Sequence, residues 1–449
     1  MSTESQSIDV SQLSEEEKTA TLRKVVVSSF LGNFIEWFDY GSYSYFAAII
    51  GAQFFPADDP IVTTMNAFAV FALSFLVRPI GALFWGNMGD KRGRKWTLSV
   101  TILIVSGATF LIGCLPGYST LGIGAVVLLL LLRMTQSFSV SGEYAGASTF
   151  IAEYAPDEHR GFYVSMVPAS TATGLLVATF FATFLFASFG ADSEFVQNIG
   201  WRIPFLLALP LGYITHWIRT HLNDSPVFEA MMDAAEKKGD DVQEHTPVRT
   251  LLTKHLRVTL ISFGTCVLNA VGFYAVLTFM PTYLSDVLGY DAANAQLVTT
   301  ILLFAYIIMI FASGRISDKV GRKKMMIIAA AGFAILTVPM FMLMGTMSFG
   351  LILLAELVMN ALLTINDGTL ASYLTETFPT DIRFTGFAFT FNLANAIFGG
   401  SCSFISLFLV TSTGSQLAPA FYMVVIAIIA LVCMLLSHEH TGKSLNDID

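Results

Sequence analysis

Apolar residues along this chain gather in long unbroken runs and do not alternate with polar ones. Such runs lie near 25 to 51, 62 to 86, 96 to 115, 122 to 151, 162 to 189 and 202 to 218, then near 257 to 285, 295 to 314, 325 to 345, 349 to 374, 386 to 410 and 418 to 437. Crossing a hydrocarbon layer of roughly 30 Å takes about 20 apolar residues in a helix, so the pattern predicts twelve transmembrane helices. A polar stretch from Arg219 to Lys254 separates six runs from six. Its acids and bases alternate without an apolar face, which predicts a surface linker with room for one lateral helix and no separate domain. The expected organisation is therefore a tail over 1–24, a six-helix bundle over 25–218, the linker over 219–255, a second six-helix bundle over 256–437 and a solvated tail over 438–449 that contains His438 and His440.

Composition agrees. Of the 449 residues 54% are hydrophobic and only 13% charged, against about 25% charged in soluble chains. The formal net charge of −9 is spread over tails, loops and spans, so it singles out no basic partner, and nothing points to nucleic acid. Cys114, Cys266, Cys402 and Cys433 stand singly, without the spacing of a metal site or a disulfide framework. Residues 1 to 22 are polar and lack the short apolar core of a signal peptide, so the first helix is expected to act as its own anchor. Ser14 and Glu17 have the spacing of a helix capping box before it.

Charge also orients the chain. One set of loops receives Lys18, Arg23, Lys24, Lys91, Arg92, Arg94, Lys95, Arg160, the linker bases, the group from Arg315 through Lys324, Arg383 and Lys443, while the other set receives only Arg202. The second set carries Asp58, Asp59, Asp192, Glu194, Asp286 and Asp291. By the positive-inside rule both termini and the linker are expected in the cytoplasm. Arg78 and Arg133 remain, both within spans.

Two motifs occur twice. The loop after span two reads Gly86-Asn-Met-Gly-Asp90-Lys-Arg-Gly93-Arg94-Lys95, and the loop after span eight reads Gly314-Arg-Ile-Ser-Asp318-Lys-Val-Gly321-Arg322-Lys323. Glu153-x-x-Pro156-x-x-x-Arg160 likewise recurs as Glu376-x-x-Pro379-x-x-x-Arg383. Both pairs are offset by close to half the chain, so the halves are repeats. Each loop sets a carboxylate at a helix end beside arginines, where it can accept from guanidinium and from the free backbone N–H groups of a neighbouring helix. A contact that forms and breaks as two halves rock would recur in just this way.

At these residues the chain resembles the major facilitator superfamily, whose signature loop is G-x-x-x-D-[RK]-x-G-R-[RK]. Within it, Gly32-Asn33 through Glu36-Trp37-Phe38-Asp39-Tyr40, Arg78-Pro79-Ile-Gly81, Gln136 through Gly142-Glu143-Tyr144, and Trp201-Arg202-Ile-Pro204-Phe205 are similar to the metabolite:proton symporter family. Gly146 through Glu153-Tyr and Ala208-Leu-Pro-Leu-Gly212 look most like members that carry proline and betaine, whereas Ala394-Asn395 through Gly399-Gly400 looks more like carboxylate carriers. Ser137 and Ser141 stand where the family usually has glycine. The resemblance implies an all-α membrane protein of two pseudo-symmetric six-helix bundles in a bacterial plasma membrane. It implies a proton-coupled symporter working as a monomer by alternating access, with no cofactor beyond the coupling proton and no enzymatic activity.

Ionisable groups within spans are candidates for function because each is costly unless paired or wetted. Glu36, Asp39, Tyr40 and Tyr43 share one helical face of span one, and Arg133, Gln136 and Tyr144 one face of span four, with Glu143 at its edge. In proton-coupled relatives a span-one acid meets a span-four arginine, which points to Asp39 and Arg133, with Glu36 or Glu143 as other carriers. Arg78 is a candidate for a substrate carboxylate through bidentate bonds, or else a partner of Glu143 or Asp39. Trp37, Tyr40, Tyr43, Phe273 and Tyr274 offer ring faces for a quaternary ammonium. Among the polar positions of the second half, Asn269, Glu356, Asn360, Asn366, Asp367, Asn392 and Asn395, the last two are taken as substrate candidates alongside Gln136 and Tyr144. If Arg133 serves the proton, one free arginine suits one carboxylate. A zwitterionic osmolyte such as proline or glycine betaine is then favoured over a mono-, di- or tricarboxylate such as 2-oxoglutarate or citrate. The Gly442-Lys-Ser444 triplet lacks the upstream glycine of a phosphate loop, and no catalytic triad or metal cluster shares a membrane layer. A channel would have no use for paired loops, and a channel or uncoupled facilitator stays a distant alternative.

Overall fold

The computed structural model describes residues 15–56, 66–67, 69–70, 73–238 and 246–448; Ser14, Asp58 and Asp59 fall outside them. Every regular element among these residues is helical. Numbering the spans in chain order, α1 is Glu15–Tyr45 continued by Ala47–Phe54, α2 ends as Arg78–Arg92, α3 is Arg94–Cys114 and α4 is Ile123–Val140 with Glu143–Tyr154. Next, α5 is Arg160–Val164 with Met166–Phe189, α6 is Ile203–Thr220, α7 is Leu256–Phe273 continued to residue 287, α8 is Ala292–Val320 and α9 is Arg322–Met344. Last, α10 is Phe349–Thr375, α11 is Arg383–Ala394 continued through Cys402–Thr413, and α12 is Ala418–Leu436.

Nine of these are long and apolar enough to cross a membrane among the described residues. The other three are α1, with its acids, the partly described α2, and α6, which holds Pro204, Pro210, His216 and Arg219. Ile308, Ile335 and Phe404 project outward at about 70% exposure. A belt of large apolar side chains facing out is what a lipid solvent requires.

Helix ends depart from the sequence reading in an informative way. The predicted loops after α2 and α8 are helical except at Gly93 and Gly321, which break the chain at φ 95° and φ 103°. An L side chain is strained there, so glycine alone turns the chain directly from one span into the next. The first motif glycines act differently: a Cβ on Gly86 would lie 2.6 Å from the Thr385 Cα, and one on Gly314 would lie 2.7 Å from the Gly161 carbonyl oxygen. Those two approaches are where the halves cross, α2 along α11 and α5 along α8.

Three expectations are corrected. The stretch taken for a linker begins later, because α6 runs to Thr220 and buries Arg219 completely. The linker carries two helices, Pro226–Lys238 and Pro247–Thr253, and it does have an apolar face, since Val227 and Phe228 are buried. The segment after α12 is not a solvated tail. Leu445 and Ile448 are buried, and its backbone accepts from Arg160 at Lys443 (3.2 Å) and from Arg383 at Leu445 (2.8 Å). His440 Nδ1 lies 2.6 Å from the Glu376 carbonyl oxygen.

Candidate functional site

The face that carries the linker and the segment after α12 is closed by two copies of one arrangement. In the first, Asp90 at the end of α2 accepts from the backbone N–H of Phe384 (3.1 Å) and Thr385 (2.8 Å) at the start of α11. In the second, Asp318 at the end of α8 accepts from Gly161 (2.8 Å) and Phe162 (3.0 Å) at the start of α5. Each aspartate meets its own half's motif arginine, Arg94 at 3.3 Å and Arg322 at 2.8 Å. Glu153 then takes Arg94 of its own half (3.1 Å) and Arg383 of the other (3.0 Å), while Glu376 takes Arg322 (3.2 Å) and Arg160 (2.9 Å). The motif residues anticipated from sequence thus converge, and each carboxylate reaches across to the opposite half. A carboxylate at a helix N-terminus gains from the exposed amides and the dipole together. Buried ionic hydrogen bonds of this kind contribute about 1.5–3 kcal/mol each.

Outside the spans, Asp224 supports the first cluster by accepting from the backbone N–H of Arg94 at 3.0 Å, and burial pushes its carboxyl above the ordinary range.

A layer of buried ion pairs crosses the first bundle. Arg133 Nη1 donates to Asp39 Oδ2 at 2.6 Å and to Gln136 Oε1 at 2.9 Å, and its guanidinium lies 3.9 Å from the centre of the Tyr43 ring. The expected pairing of spans one and four is present. Tyr43 is wholly buried with its hydroxyl on the Ala67 carbonyl at 2.9 Å, and Gln136 is held by Asp39, Arg133 and Thr109. Both therefore serve the ion pair. Arg78 takes neither Asp39 nor Glu143 as its partner. It donates to Glu36 at 3.4 Å and to the Tyr40 hydroxyl, with Phe75 4.2 Å beneath it.

Glu143 is engaged elsewhere. It pairs with Arg219, which also donates to the Leu98 carbonyl (2.6 Å) and the Ser28 carbonyl (3.2 Å), and it accepts from Thr101 at 3.2 Å. A Cβ on Gly32 would collide with this pair, which explains glycine at that point of α1. Sequence reasoning counted Arg219 with the linker, so a third arginine inside the first bundle went unnoticed. The signal was its place at the end of a run interrupted by prolines and histidine.

A cavity of about 280 Å³ opens between the halves away from the linker face, lined by Trp37, Tyr40, Tyr274, Leu175, Thr299 and Leu303 among others. Trp37 packs on Phe273 with ring centres 5.1 Å apart, and Tyr40 joins the cavity to Arg78. Tyr144 lies below, stacked on Phe391 at 4.4 Å. Asn392 ties the halves by donating to the Ser141 carbonyl at 2.8 Å, and Asn395 donates to Phe391 at 2.9 Å within α11. Neither lines the cavity. Ser141 fits because Gly81 lies opposite it, and Ser137 donates to Ser74 at 3.0 Å. Three π-helical turns occur near this layer, at residues 274–279 and 283–287 of α7 and 395–399 of α11.

Among known proteins, a family model described as the Major Facilitator Superfamily matches residues 29–401 and 262–447. The glycine betaine/proline/ectoine/pipecolic acid transporter of Dickeya dadantii is 37% identical over 427 residues, covering 94% of this chain and 85% of that protein. The proline/betaine transporter of Escherichia coli K12 is 36% identical over 427 residues, with the same coverage of 94% and 85%. A solved structure of a proton:xylose symporter bound to 6-bromo-6-deoxy-D-glucose superposes with a TM-score of 0.78 at 18% identity, over 96% of this chain and 98% of that one.

Proposed function

The chain belongs to the Major Facilitator Superfamily, and from that premise we propose that it imports a zwitterionic osmolyte such as proline or glycine betaine with a proton, by alternating access. It is a multi-pass membrane transporter and not an enzyme. The observation that carries the substrate reading is an aromatic cavity whose Tyr40 leads to a single arginine, Arg78. Ring faces attract a cation without a fixed negative charge, and guanidinium takes one carboxylate. Arg133 is held by Asp39 at 2.6 Å and Arg78 by Glu36 at a longer 3.4 Å, so Arg78 is the arginine that a carboxylate would win more easily and a polyanion would lack a second anchor.

In this reading Asp39 and Arg133 form the proton switch: protonation of Asp39 releases the arginine and shifts the balance between the two access states. Glu143 holds helices together with Arg219, and the paired clusters around Asp90, Asp318, Glu153 and Glu376 form a gate that must open for release. The positive-inside rule supports a cytoplasmic side for the base-rich linker face, and with it for the linker and both termini, and the bacterial inner membrane is the proposed site of action. One chain contains cavity, switch and gate, so a monomer suffices. The test is uptake of labelled glycine betaine into proteoliposomes. Accumulation that responds to an imposed pH gradient and collapses with a protonophore is expected, and uptake indifferent to both would leave an uncoupled facilitator.

A further inference from the structure

Among the described residues, five carboxyl groups lie buried within the spans away from the linker-face clusters, and they fall into two kinds. Glu36, Asp39 and Glu143 each face an arginine. Glu356 and Asp367, both on α10, have no ion-pair partner among the described residues. Neither has a guanidinium within ion-pair reach among the described residues to offset the cost of ionisation away from water. They differ in what surrounds them. Asn360, one turn from Glu356, donates to the Leu302 carbonyl of α8 at 3.3 Å, which turns that face into the second bundle. Asp367 instead sits where the bundles meet. It accepts from Tyr306 of α8, from Asn269 of α7 at 3.0 Å and from Tyr144 of α4, in the other half, at 3.5 Å.

We infer that Asp367 is a second proton-binding carboxyl of the transport cycle, loaded while the linker face is closed and emptied when the halves part there. The inference rests on the symport reading and names a site that reading does not use. Depth supports it: Asn269 is one turn from Phe273, which packs on the cavity's Trp37, and Tyr306 is one turn from the cavity residue Leu303. Asp367 therefore lies about one helical turn, roughly 5 Å, beyond the cavity floor on the linker side. The groups packed around it are neutral. Tyr306, Asn269 and Tyr144 touch it, Phe387 and Phe391 of α11 pack about Tyr144, and Asn366 beside it reaches Met326 of α9. Arg160 and Arg322 pair with Glu376, nine residues and about 13 Å along the chain from Asp367, and Asp318 pairs with Arg322. Glu36 is held by Arg78.

The cycle balances as two proton transfers. A hydronium admitted from the cavity through its floor gives its proton to an Asp367 oxygen and leaves water, and the Tyr306 hydroxyl can turn from donor to acceptor to receive the new O–H. Opening the linker face breaks the Tyr144 contact, water reaches the carboxylic acid, and the proton passes to it.

The experiment is solute-driven proton uptake by proteoliposomes, read with an entrapped pH dye beside labelled betaine uptake. Asp367→Asn is expected to keep betaine counterflow while pH-driven accumulation and protons moved per betaine both fall, accumulation by about tenfold. Wild-type proton movement with an unchanged ratio and pH profile in Asp367→Asn overturns the inference. If Asp367→Asn fails to insert or exchange, Tyr144→Phe decides. Its loss of one donor is expected to move the pH midpoint of uptake, and an unmoved midpoint overturns the inference. Betaine uptake without proton movement in the wild type would instead overturn the symport reading itself, and this site with it.

Discussion

Asp90 accepts both the backbone N–H of Thr385, at 2.8 Å, and its hydroxyl, at 2.7 Å, across a sequence separation of 295 residues. Asp318 makes the equivalent reach to Gly161 and Phe162, so each half supplies a carboxylate that caps a helix of the other. Closure of the linker face is therefore reciprocal.

Replacing Asp90 or Asp318 by asparagine keeps one acceptor oxygen and removes the charge that favours a helix N-terminus. A loss of about 1–2 kcal/mol per cap is expected, enough to shift the access equilibrium and lower net uptake about tenfold. Binding of labelled betaine to detergent-purified protein should persist. Its abolition in a folded Asp90→Asn variant would place the cap inside the substrate site.

Asp39→Asn leaves Arg133 without its carboxylate at 2.6 Å. Accumulation against a gradient should disappear while counterflow survives, as measured in the same vesicles with and without a pH gradient. Full accumulation by this variant would move coupling away from the Asp39–Arg133 pair.

Arg78→Lys retains charge and loses the planar fork, which cannot then hold Tyr40 and a carboxylate together. Apparent affinity for the transported solute is expected to weaken by about tenfold, or roughly 1.4 kcal/mol. A competition panel of betaine, proline, 2-oxoglutarate and citrate identifies that solute; strong inhibition by the last two alone would sink the zwitterion reading.

Breaking the Glu143–Arg219 pair from one side strands a buried charge, at a cost of about 3–5 kcal/mol. Glu143→Ala should therefore lower the unfolding temperature sharply, and Glu143→Leu with Arg219→Leu should recover most of it. A stable Glu143→Ala protein that has lost only proton coupling would return this acid to the transport chemistry.

Burial raises the Asp224 carboxyl in the folded protein, so folding favours its protonated form. The stabilising contribution is full below the unfolded value of about 3.9 and is lost as pH rises through the raised folded value. Asp224→Asn should melt higher than the wild type at neutral pH and converge with it near pH 4, as followed by thermal unfolding in detergent.

The sequence made the all-helical membrane fold, the repeat and the Asp39–Arg133 pairing legible, because each depends on spacing along a helix or on recurrence in the chain. What it hid were relationships between distant segments. Arg219 looked like a linker base because it ends its helix, yet α1, α3 and α4 close over it. Asp367 looked like one polar residue among several on α10, and only the crossing of Tyr144 from the other half sets it apart. The motif glycines were readable as a signature, but the closeness of Gly86 to Thr385 follows from packing. Burial of the segment after α12 left no trace in its polar composition.

The π-helical turns of α7 and α11 have a consequence for evolution by insertion. Each such turn holds one residue more than a regular helical turn, so deleting a single residue there would restore the ordinary winding while the helix on either side keeps its facing. In α7 that deletion would change which side chains the turn itself offers to the cavity, where Leu277 and Thr278 now stand. A gap of one residue at 274–279 would thus alter the cavity lining locally while leaving the rest of α7 and the latched linker face in place, a compact route from one solute preference to another.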